Sequence, residues 1–507
     1  MDRLPGMKET SSNHRETFLI MIVLFGIGLF YLLTLRDGHE WGGDFCAYIH
    51  HAKNIAEGVD YKETGYIFNS HYPTLGPRTY PPIFPLLLVP VYRLFGLNLT
   101  AMKVEIILFF LGFLFIIYLI FKNSMSFSYQ IVLLLIIGCN HFFWEFKDDI
   151  RPDIPFLFFL FLAFFFIQRV YPSDLSKKAP FWQGIVLGFL IYLPYGTRSV
   201  GILLVPCLLL HDCIRFKRPT RLSLIAGLTF GFLLLLQILF LHSDSGYGGM
   251  WKGVVTQPHL LFGLLKDLLI LARSYAAFWD NGYFRPFGFF LSVLIMILFI
   301  TGFLSRIKKR ITILEIFLPL YLLVIWPIYA IPRHLFPVIP LILFYAFEGL
   351  SRIRSLQQRG LGHFLFLFLI VAIAGSYIGK YSKKDFGPIQ ETINKYEMVE
   401  LFDFLREKTD KKDVLIFRKP RVLSLYTGRR ASVYHRFEPS DDRELWNYFD
   451  KIRATHLLTS PVDKGYWSPF IARYEENLEE VFSNQDFKVY RIKRFPLQEN
   501  NNQEDFH

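Results

Sequence analysis

Charge is scarce in this chain. Lys, Arg, Asp and Glu together make up 19% of the 507 residues, whereas hydrophobic residues make up 52% and aromatic residues 18%. A soluble domain is typically about a quarter charged. The composition therefore argues against a soluble protein built from two or three ordinary domains.

Cysteine is also rare, and a glycine-rich nucleotide motif is absent. The chain has four scattered Cys and no Cys-x-x-Cys pair, so neither a disulfide framework nor a zinc site is indicated. Without a glycine-rich phosphate loop, the sequence does not imply ATP. The net charge of +12 could suggest nucleic acid, but the basic residues lie in short segments between apolar runs, so no nucleic-acid partner is expected.

What the chain does have is a series of long apolar runs, as expected for an α-helical polytopic membrane protein. The first run ends at Arg36-Asp37, which is no small-residue cleavage site, so it reads as a retained transmembrane helix rather than a signal peptide. We predict eleven spans near 18–35, 99–121, 129–145, 154–170, 182–195, 198–212, 222–242, 284–304, 312–330, 335–350 and 361–379. The fifth and sixth are short and resemble a hairpin broken at Pro194-Tyr195-Gly196.

The distribution of basic residues sets the orientation of these spans. With the N-terminus inside, the short outer loops hold few basic residues. The inner loops hold many: Lys122, Arg169, Lys177, Lys178, Arg215, Lys217, Arg218, Arg221, Arg306, Lys308, Lys309, Arg310, Arg352, Arg354 and Arg359. This bias predicts a cytoplasmic N-terminus and an extracytoplasmic C-terminus, in a bacterial inner membrane or plasma membrane. The Pro-rich run 81–96 fits this map only as a helix lying at the outer interface.

Composition changes sharply after residue 380. The segment is polar and alternates short apolar runs, which predicts helices at 398–408 and 441–453 and strands at 414–417, 455–459, 478–482 and 487–492. We therefore predict three parts: a membrane domain at 1–380 that includes the long outer loop 36–98, an extracytoplasmic α/β domain at 381–495, and a disordered tail at 496–507.

Asp44 is the first candidate for chemistry. It follows the first span closely, and either caps a helix that runs to Glu57 and closes at Gly58, or serves as a catalytic carboxylate at the membrane surface. A metal site built from His50, His51 and His71 is conceivable. Adjacent histidines on a helix point about 100° apart, however, so both rarely bind one ion, and no metal is expected.

Two further groups of charges lie at the predicted outer ends of helices. Asp148, Asp149 and Asp153 crowd one short loop, where they either form local salt bridges or bind something. The second group departs from the positive-inside pattern and consists of Arg198, Arg333 and His334. Such cations either reach for lipid headgroups or bind a phosphate, which the arginine fork can bond bidentately.

Taken together, these features resemble the GT-C glycosyltransferases, and within them the glycosyltransferase family 39-like group of protein O-mannosyltransferases and lipid A aminoarabinose transferases. The matching segments are Gly43-Asp44 after the first span, Tyr80-Pro81-Pro82 with Pro85-Leu86-Leu87 and Leu94-Phe95-Gly96, Arg151-Pro152-Asp153 after the third span, and Ile331–Pro337 with His334 in place of the commoner Tyr.

The resemblance implies transfer of a sugar from a polyprenyl-phosphate donor to a lipid, glycan or protein acceptor outside the cytoplasm, without a soluble cofactor. We expect Asp44 to act as the base, while Asp153 either orients the acceptor or assists Asp44. The substrate-binding residues expected are Tyr80, Asp148, Asp149, Arg198, Arg333 and His334. Two alternatives remain open, namely a transporter or lipid flippase and a non-catalytic scaffold.

The orientation can be tested by labelling an engineered cysteine at Ser440. We expect a membrane-impermeant thiol reagent to label it in intact cells, because the C-terminal segment is predicted to lie outside. Labelling that requires permeabilisation would contradict the eleven-span topology.

Overall fold

The computed structural model describes residues 5–70, 72, 75–171, 180–241, 260–328, 331–353, 360–389, 393–434 and 442–493. His71, Ser440 and the tail 496–507 lie outside these ranges. The chain folds into two compact units. The helical unit comprises Met1–Leu35, Ala101–Phe240 and Gly246–Phe386, and the α/β unit comprises Arg36–Thr100, Leu241–Ser245 and Gly387–His507.

The helical unit is built from apolar helices joined by short turns. Its helices are Pro5–Leu33, Leu99–Phe121, Phe127–Gly138, His141–Glu145, Asp153–Val170, Phe181–Thr197, Leu204–Phe216, Arg221–Leu241, Leu260–Ala277, Arg285–Lys309, Ile313–Ile325, Ile339–Ile353 and Leu361–Tyr381. Short 3-10 turns lie at Phe146–Asp148, Ser199–Leu203, Trp326–Ile328 and Pro332–Leu335. The helix Leu260–Ala277 is not among the predicted elements, because Lys266, Asp267 and Arg273 interrupt its apolar pattern.

Seven helices in the described part of the chain are long and apolar enough to cross a membrane. They are His14–Leu33, Leu99–Phe121, Asp153–Val170, Ser199–Phe216, Arg221–Leu241, Pro286–Lys309 and Gly362–Tyr381. The pair Phe127–Gly138 and His141–Asp148, bent by 50°, makes an eighth if it is one broken span. The remaining predicted spans correspond to shorter helices. The polytopic helical class is confirmed, while the number eleven and the orientation stay predictions.

The predicted break in the fifth span is displaced. The helix continues through Pro194 to Thr197, and the chain leaves helical geometry at Arg198, with φ −142° and ψ 130°. A proline inside a helix removes its own N–H bond and crowds the carbonyl four residues earlier, but the turn after it can stay helical: here the Pro194 carbonyl accepts from the Arg198 N–H at 2.8 Å. The expectation of a break at Pro194-Tyr195-Gly196 was therefore wrong by a few residues.

Two glycines let a pair of long helices meet at the backbone. Gly302 lies on Arg285–Lys309 and Gly349 on Ile339–Ile353. A Cβ at Gly302 would overlap the carbonyl oxygen of Tyr345, and one at Gly349 would overlap that of Leu298. Within a membrane, no hydrophobic effect drives helices together. Small residues at such crossings let the backbones approach closely, and the close packing then stabilises the helix pair.

The α/β unit contains one six-stranded sheet. Its strands are β1 Tyr66–Ile67, β2 Val414–Ile416, β3 Arg430–Ser432, β4 His456–Thr459, β5 Leu478–Ser483 and β6 Lys488–Ile492. The spatial order is β1-β3-β2-β4-β6-β5. Strands β1 to β4 are parallel, and β6 pairs antiparallel with both of its neighbours, β4 and β5. The helices are Gly43–Glu57, Ile83–Phe95, Tyr396–Lys408, Pro420–Thr427, Asp442–Ile452 and Lys464–Arg473.

The long loop after the first span contributes the edge strand of this sheet. The Ala431 N–H donates to the Gly65 carbonyl at 2.9 Å, and the Ser432 hydroxyl donates to the Ile67 carbonyl at 2.9 Å. The loop that we assigned to the membrane domain thus packs with the C-terminal segment, whose part of the unit begins at Gly387. The predicted strands and helices of that segment are present, and the sequence missed β3 and the helices Pro420–Thr427 and Lys464–Arg473.

The glycine crossing gives a test of the packing. Gly349→Ala is expected to lower the unfolding free energy by about 1–3 kcal/mol, because the added methyl must displace backbone. Gly231→Ala is the matched control, since a Cβ added at this position would have no atom of another residue within 4 Å. The melting temperatures of the two detergent-solubilised variants are compared. Equal melting temperatures would show that the helices do not approach as closely as described.

Candidate functional site

Asp44 lies in the first turn of the helix Gly43–Glu57. The N-cap of this helix is Gly42, and no side chain caps it, so the alternative in which Asp44 caps the helix was wrong. The expected stop at Gly58 is confirmed, with φ 71° in the left-handed region. The helix dipole favours a carboxylate in the first helical turn. Because Asp44 does not cap the helix, its oxygens can form other contacts.

One oxygen of Asp44 is held by two donors. Its Oδ1 accepts from the Tyr80 hydroxyl at 2.7 Å and from Arg421 Nη1 at 2.9 Å. Arg421 Nη1 also lies 3.0 Å from the Tyr80 hydroxyl. Within the described residues, Oδ2 accepts no hydrogen bond, and 38% of the Asp44 side chain is exposed. The carboxylate is therefore oriented through one oxygen and open through the other.

Arg421 is buried at the centre of this contact. Only 3% of its side chain is exposed, and its Nη2 donates to the Pro77 carbonyl at 2.7 Å. Burial alone lowers the pKa of Arg421, but Tyr80 and Asp44 outweigh it and raise that pKa, so the guanidinium stays charged. The sequence did not point to Arg421, because it stands 377 residues from Asp44 in an ordinary helix start.

Tyr80 is fixed on its other sides. Its ring packs 4.5 Å from that of Tyr48, and its carbonyl accepts from the Tyr61 hydroxyl at 2.7 Å. Burial raises the pKa of Tyr80, so its hydroxyl remains a donor at neutral pH. Gly76, at φ 108°, passes so close that a Cβ there would come within 2.8 Å of the hydroxyl. The Tyr80 hydroxyl donates a hydrogen bond to Asp44. The expected role of Tyr80 in binding substrate stays a prediction.

The helical unit carries a second cluster around Asp153, the first residue of Asp153–Val170. Its carboxylate is 3% exposed and forms an ion pair with Arg198. Arg333, His334 and Arg151 lie close enough to act on its charge. The structure thus brings together Asp153, Arg198, Arg333 and His334, which the sequence singled out separately, and adds Arg151.

Two groups in this cluster are available to a ligand. The Nε of Arg333 is buried and has no hydrogen-bond partner among the described residues, a condition that is rare for buried donors. Burial, reinforced by Arg198 and Arg333, lowers the pKa of His334 to about 3, so this imidazole is neutral at physiological pH. The guanidiniums of Arg151, Arg198 and Arg333 outnumber the carboxylates of Asp149 and Asp153, which leaves the cluster positive.

Asp148 and Asp149 have local partners. Asp148 pairs with Lys147 at 2.6 Å and lies 3.8 Å from Lys103, and Asp149 pairs with Arg151 at 3.0 Å. This is the salt-bridge alternative that the loop sequence left open. A role of either residue in binding substrate remains a prediction.

His50 and His51, the two candidate metal ligands that the structure describes, are buried. His51 Nδ1 lies 2.8 Å from the Tyr61 carbonyl, and its ring stacks on Tyr61. Burial lowers the pKa of His50 to about 3 and that of His51 to about 4. Among the described residues, no three His, Cys, Asp or Glu side chains are grouped to hold a metal.

Comparison with known proteins rests on structure alone. No family model matches the sequence, and no curated protein matches it. Among solved structures, the chain resembles ArnT from Cupriavidus metallidurans bound to undecaprenyl phosphate, with a TM-score of 0.55 at 13% identity, over 94% of this chain and 97% of that one. It also resembles the oligosaccharyltransferase AglB from Archaeoglobus fulgidus in complex with an inhibitory peptide and a dolichol-phosphate, with a TM-score of 0.57 at 12% identity, over 96% of this chain and 75% of that one.

The chain has the GT-C fold. ArnT, a lipid A aminoarabinose transferase, and AglB are both GT-C members, and the similarity extends over most of this chain. An apo structure of ArnT gives the same result, with a TM-score of 0.53 at 14% identity. The family resemblance drawn from Gly43-Asp44 and Arg151-Pro152-Asp153 is confirmed at the level of fold.

Proposed function

We propose that this protein is a membrane glycosyltransferase. It moves a sugar from a polyprenyl-phosphate donor to a lipid, glycan or protein acceptor on the extracytoplasmic face. The observation that carries the proposal is the positive cluster at Asp153, where the buried Arg333 Nε has no acceptor within the part of the chain that the structure describes. The fold supports it, since the ArnT structure contains undecaprenyl phosphate and the AglB structure a dolichol-phosphate.

The donor phosphate is the leaving group of this reaction. As the bond between the anomeric carbon and the phosphate oxygen breaks, negative charge grows on the phosphate, and preplaced guanidiniums stabilise it. Arg333 and Arg198 supply this charge, and neutral His334 adds a hydrogen-bonding group. Asp153 is 3% exposed and ion-paired, so its role here is to position the arginines rather than to accept a proton.

The acceptor hydroxyl needs a base. Asp44 suits this role because Tyr80 and Arg421 fix its Oδ1, while its Oδ2 is open and the side chain is half-exposed. In the proposed step, Asp44 takes the hydroxyl proton as the acceptor oxygen attacks the anomeric carbon. The polyprenyl phosphate then leaves, and the sugar is joined to the acceptor.

The role of Asp44 is tested with Asp44→Asn. The amide still accepts from Tyr80 and Arg421 but cannot act as a base, so transfer of a radiolabelled sugar in proteoliposomes is expected to fall by roughly 100-fold or more. Because Arg421 is buried and loses its counter-charge, a stability loss of roughly 3 kcal/mol is also expected, so transfer is measured at a temperature at which the variant is folded.

Glu57→Gln is the matched control, since it neutralises a carboxylate at the other end of the same helix and should leave transfer unchanged. A folded Asp44→Asn protein that transfers sugar at the rate of the control would refute the base assignment. Lipid movement without any sugar transfer in the unmodified protein would favour the flippase alternative.

The phosphate-binding role is tested with Arg333→Gln. Loss of one charge-assisted hydrogen bond is expected to weaken binding of a polyprenyl phosphate by roughly tenfold or more. Arg169→Gln, an exposed arginine at the far end of Asp153–Val170, removes the same charge and serves as the control. Binding is measured by lipid titration in detergent; equal affinities in the two variants would return Arg333 to the lipid-snorkelling interpretation.

A further inference from the structure

A cavity of about 230 Å³ lies at the carboxyl ends of the parallel strands of the six-stranded sheet. Each of the strands β1 to β4 is soon followed by a residue of the cavity wall: Tyr72 after β1, Arg418 after β2, Tyr434 after β3 and Asp463 after β4. In open α/β sheets, ligands bind in the crevice outside the carboxyl ends of the strands. The cavity therefore has the position of a ligand site.

The connections of the sheet place a topological switch point at this cavity. From β2 the chain passes through the helix Pro420–Thr427 to the neighbouring strand β3, and from β3 it returns through Asp442–Ile452 past β2 to β4. Crossovers between parallel strands are right-handed, so two crossovers that run in opposite directions lie on opposite faces of the sheet. A crevice opens where the chain leaves β2 and β3 toward opposite faces, and both strands contribute to the cavity wall there.

One guanidinium in the wall has no acceptor. Arg418 is half-buried, and its Nε is enclosed without a hydrogen-bond partner among the described residues. Its guanidinium carbon lies 5.4 Å from the centre of the Trp41 ring, and it forms no ion pair within the part of the chain that the structure describes. Lys419, the second cation of the wall, already interacts with another residue. An anionic group of a ligand would complete Arg418, whose fork can bond it bidentately.

The acid in the wall has other partners. Asp463 Oδ1 accepts from the N–H and the hydroxyl of Ser460, at 2.6 and 2.8 Å, and its Oδ2 accepts from the Tyr434 hydroxyl at 3.3 Å. These donors are neutral and none of them belongs to Arg418. A carboxylate oxygen with one long hydrogen bond can accept a second one, for example from a ligand hydroxyl. The same cavity thus contains a cation without a partner and an acceptor for hydroxyl groups.

These groups favour an acidic sugar over a phosphate. A phosphate monoester carries about −1.5 to −2 charges at neutral pH and would face Asp463 in a small cavity, whereas a carboxylate carries one charge, which one guanidinium balances. Sugar hydroxyls suit Asp463. The stacked rings of Tyr434 and Tyr466, whose centres are 5.5 Å apart, provide surface for the apolar face of a sugar ring. The volume is below the roughly 300–1,000 Å³ of pockets for drug-sized ligands, which fits a single sugar unit.

The cavity adjoins the segment that contains Asp44. Trp41, whose ring lies against Arg418, stands three residues before Asp44. Arg421, which orients the Asp44 carboxylate, stands three residues after Arg418. We infer that the cavity binds a carboxylate-bearing sugar unit of the acceptor, which makes the acceptor an acidic glycan. That this sugar belongs to the acceptor rests on the proposed transferase function, whereas its binding in the cavity does not.

The test is the binding of methyl glucuronide to the full-length protein in neutral detergent, measured by saturation-transfer NMR without a lipid donor. The comparison probes are methyl glucoside, which lacks the carboxylate, acetate, which lacks the hydroxyls, and glucose 6-phosphate. Methyl glucuronide is expected to bind the most tightly, by roughly tenfold, because it alone combines hydroxyls with a single negative charge. Equal or tighter binding of any comparison probe would overturn the inference.

Arg418→Gln is expected to weaken glucuronide binding by roughly tenfold or more, because a charge-assisted hydrogen bond is lost. Melting temperature verifies that the variant folds, as expected for a side chain that donates no hydrogen bond within the described residues. Arg430→Gln is the matched control, since it removes the same charge at an exposed position in the first residue of β3, away from the cavity wall. It is expected to bind glucuronide like the unmodified protein.

Equal affinities of the two variants would overturn the inference, as would an unmodified protein that does not bind glucuronide. Sugar transfer is measured in parallel to separate the inference from the proposed function. Transfer by a protein that does not bind glucuronide would overturn the sugar site and leave the transferase proposal intact. Glucuronide binding that depends on Arg418, in a protein that transfers no sugar, would support the site and count against the transferase proposal.

Discussion

The α/β unit depends on one buried cation. A guanidinium as deeply buried as that of Arg421 is stable only if its charge and its N–H groups are met by acceptors. Asp44, Tyr80 and the Pro77 carbonyl supply them, and all three belong to the long loop after the first span. The same contact therefore binds the loop to the C-terminal segment and fixes the orientation of the Asp44 carboxylate.

Two acidic residues that look alike in the sequence have different environments. Asp153 is buried against Arg198, and the positive charges of the surrounding arginines balance its negative charge. Asp44 shares only one of its oxygens with Arg421 and Tyr80 and keeps the other exposed. The first environment suits a residue that holds cations in place, and the second suits a residue that exchanges a proton with an acceptor.

Much of the helical unit followed from the sequence, because apolar runs and basic turns are local signals. The grouping of Arg198, Arg333 and His334 near Asp153 was anticipated only as separate departures from the charge pattern. Arg421, β1 and the pairing of the long loop with the sheet were not anticipated. They arise from contacts between segments hundreds of residues apart, and the two residues of β1 carry no strand signal of their own.

The distance along the chain between Asp44 and Arg421 has a consequence for biosynthesis. At about 5–20 residues per second, the 377 residues between them take on the order of 20 to 75 s to synthesise. During that interval Asp44 has no guanidinium to orient it, and β1 has no strand to pair with. A chain that stops before Arg421 lacks the contact that orients the Asp44 carboxylate, so this geometry forms only after most of the chain has been synthesised.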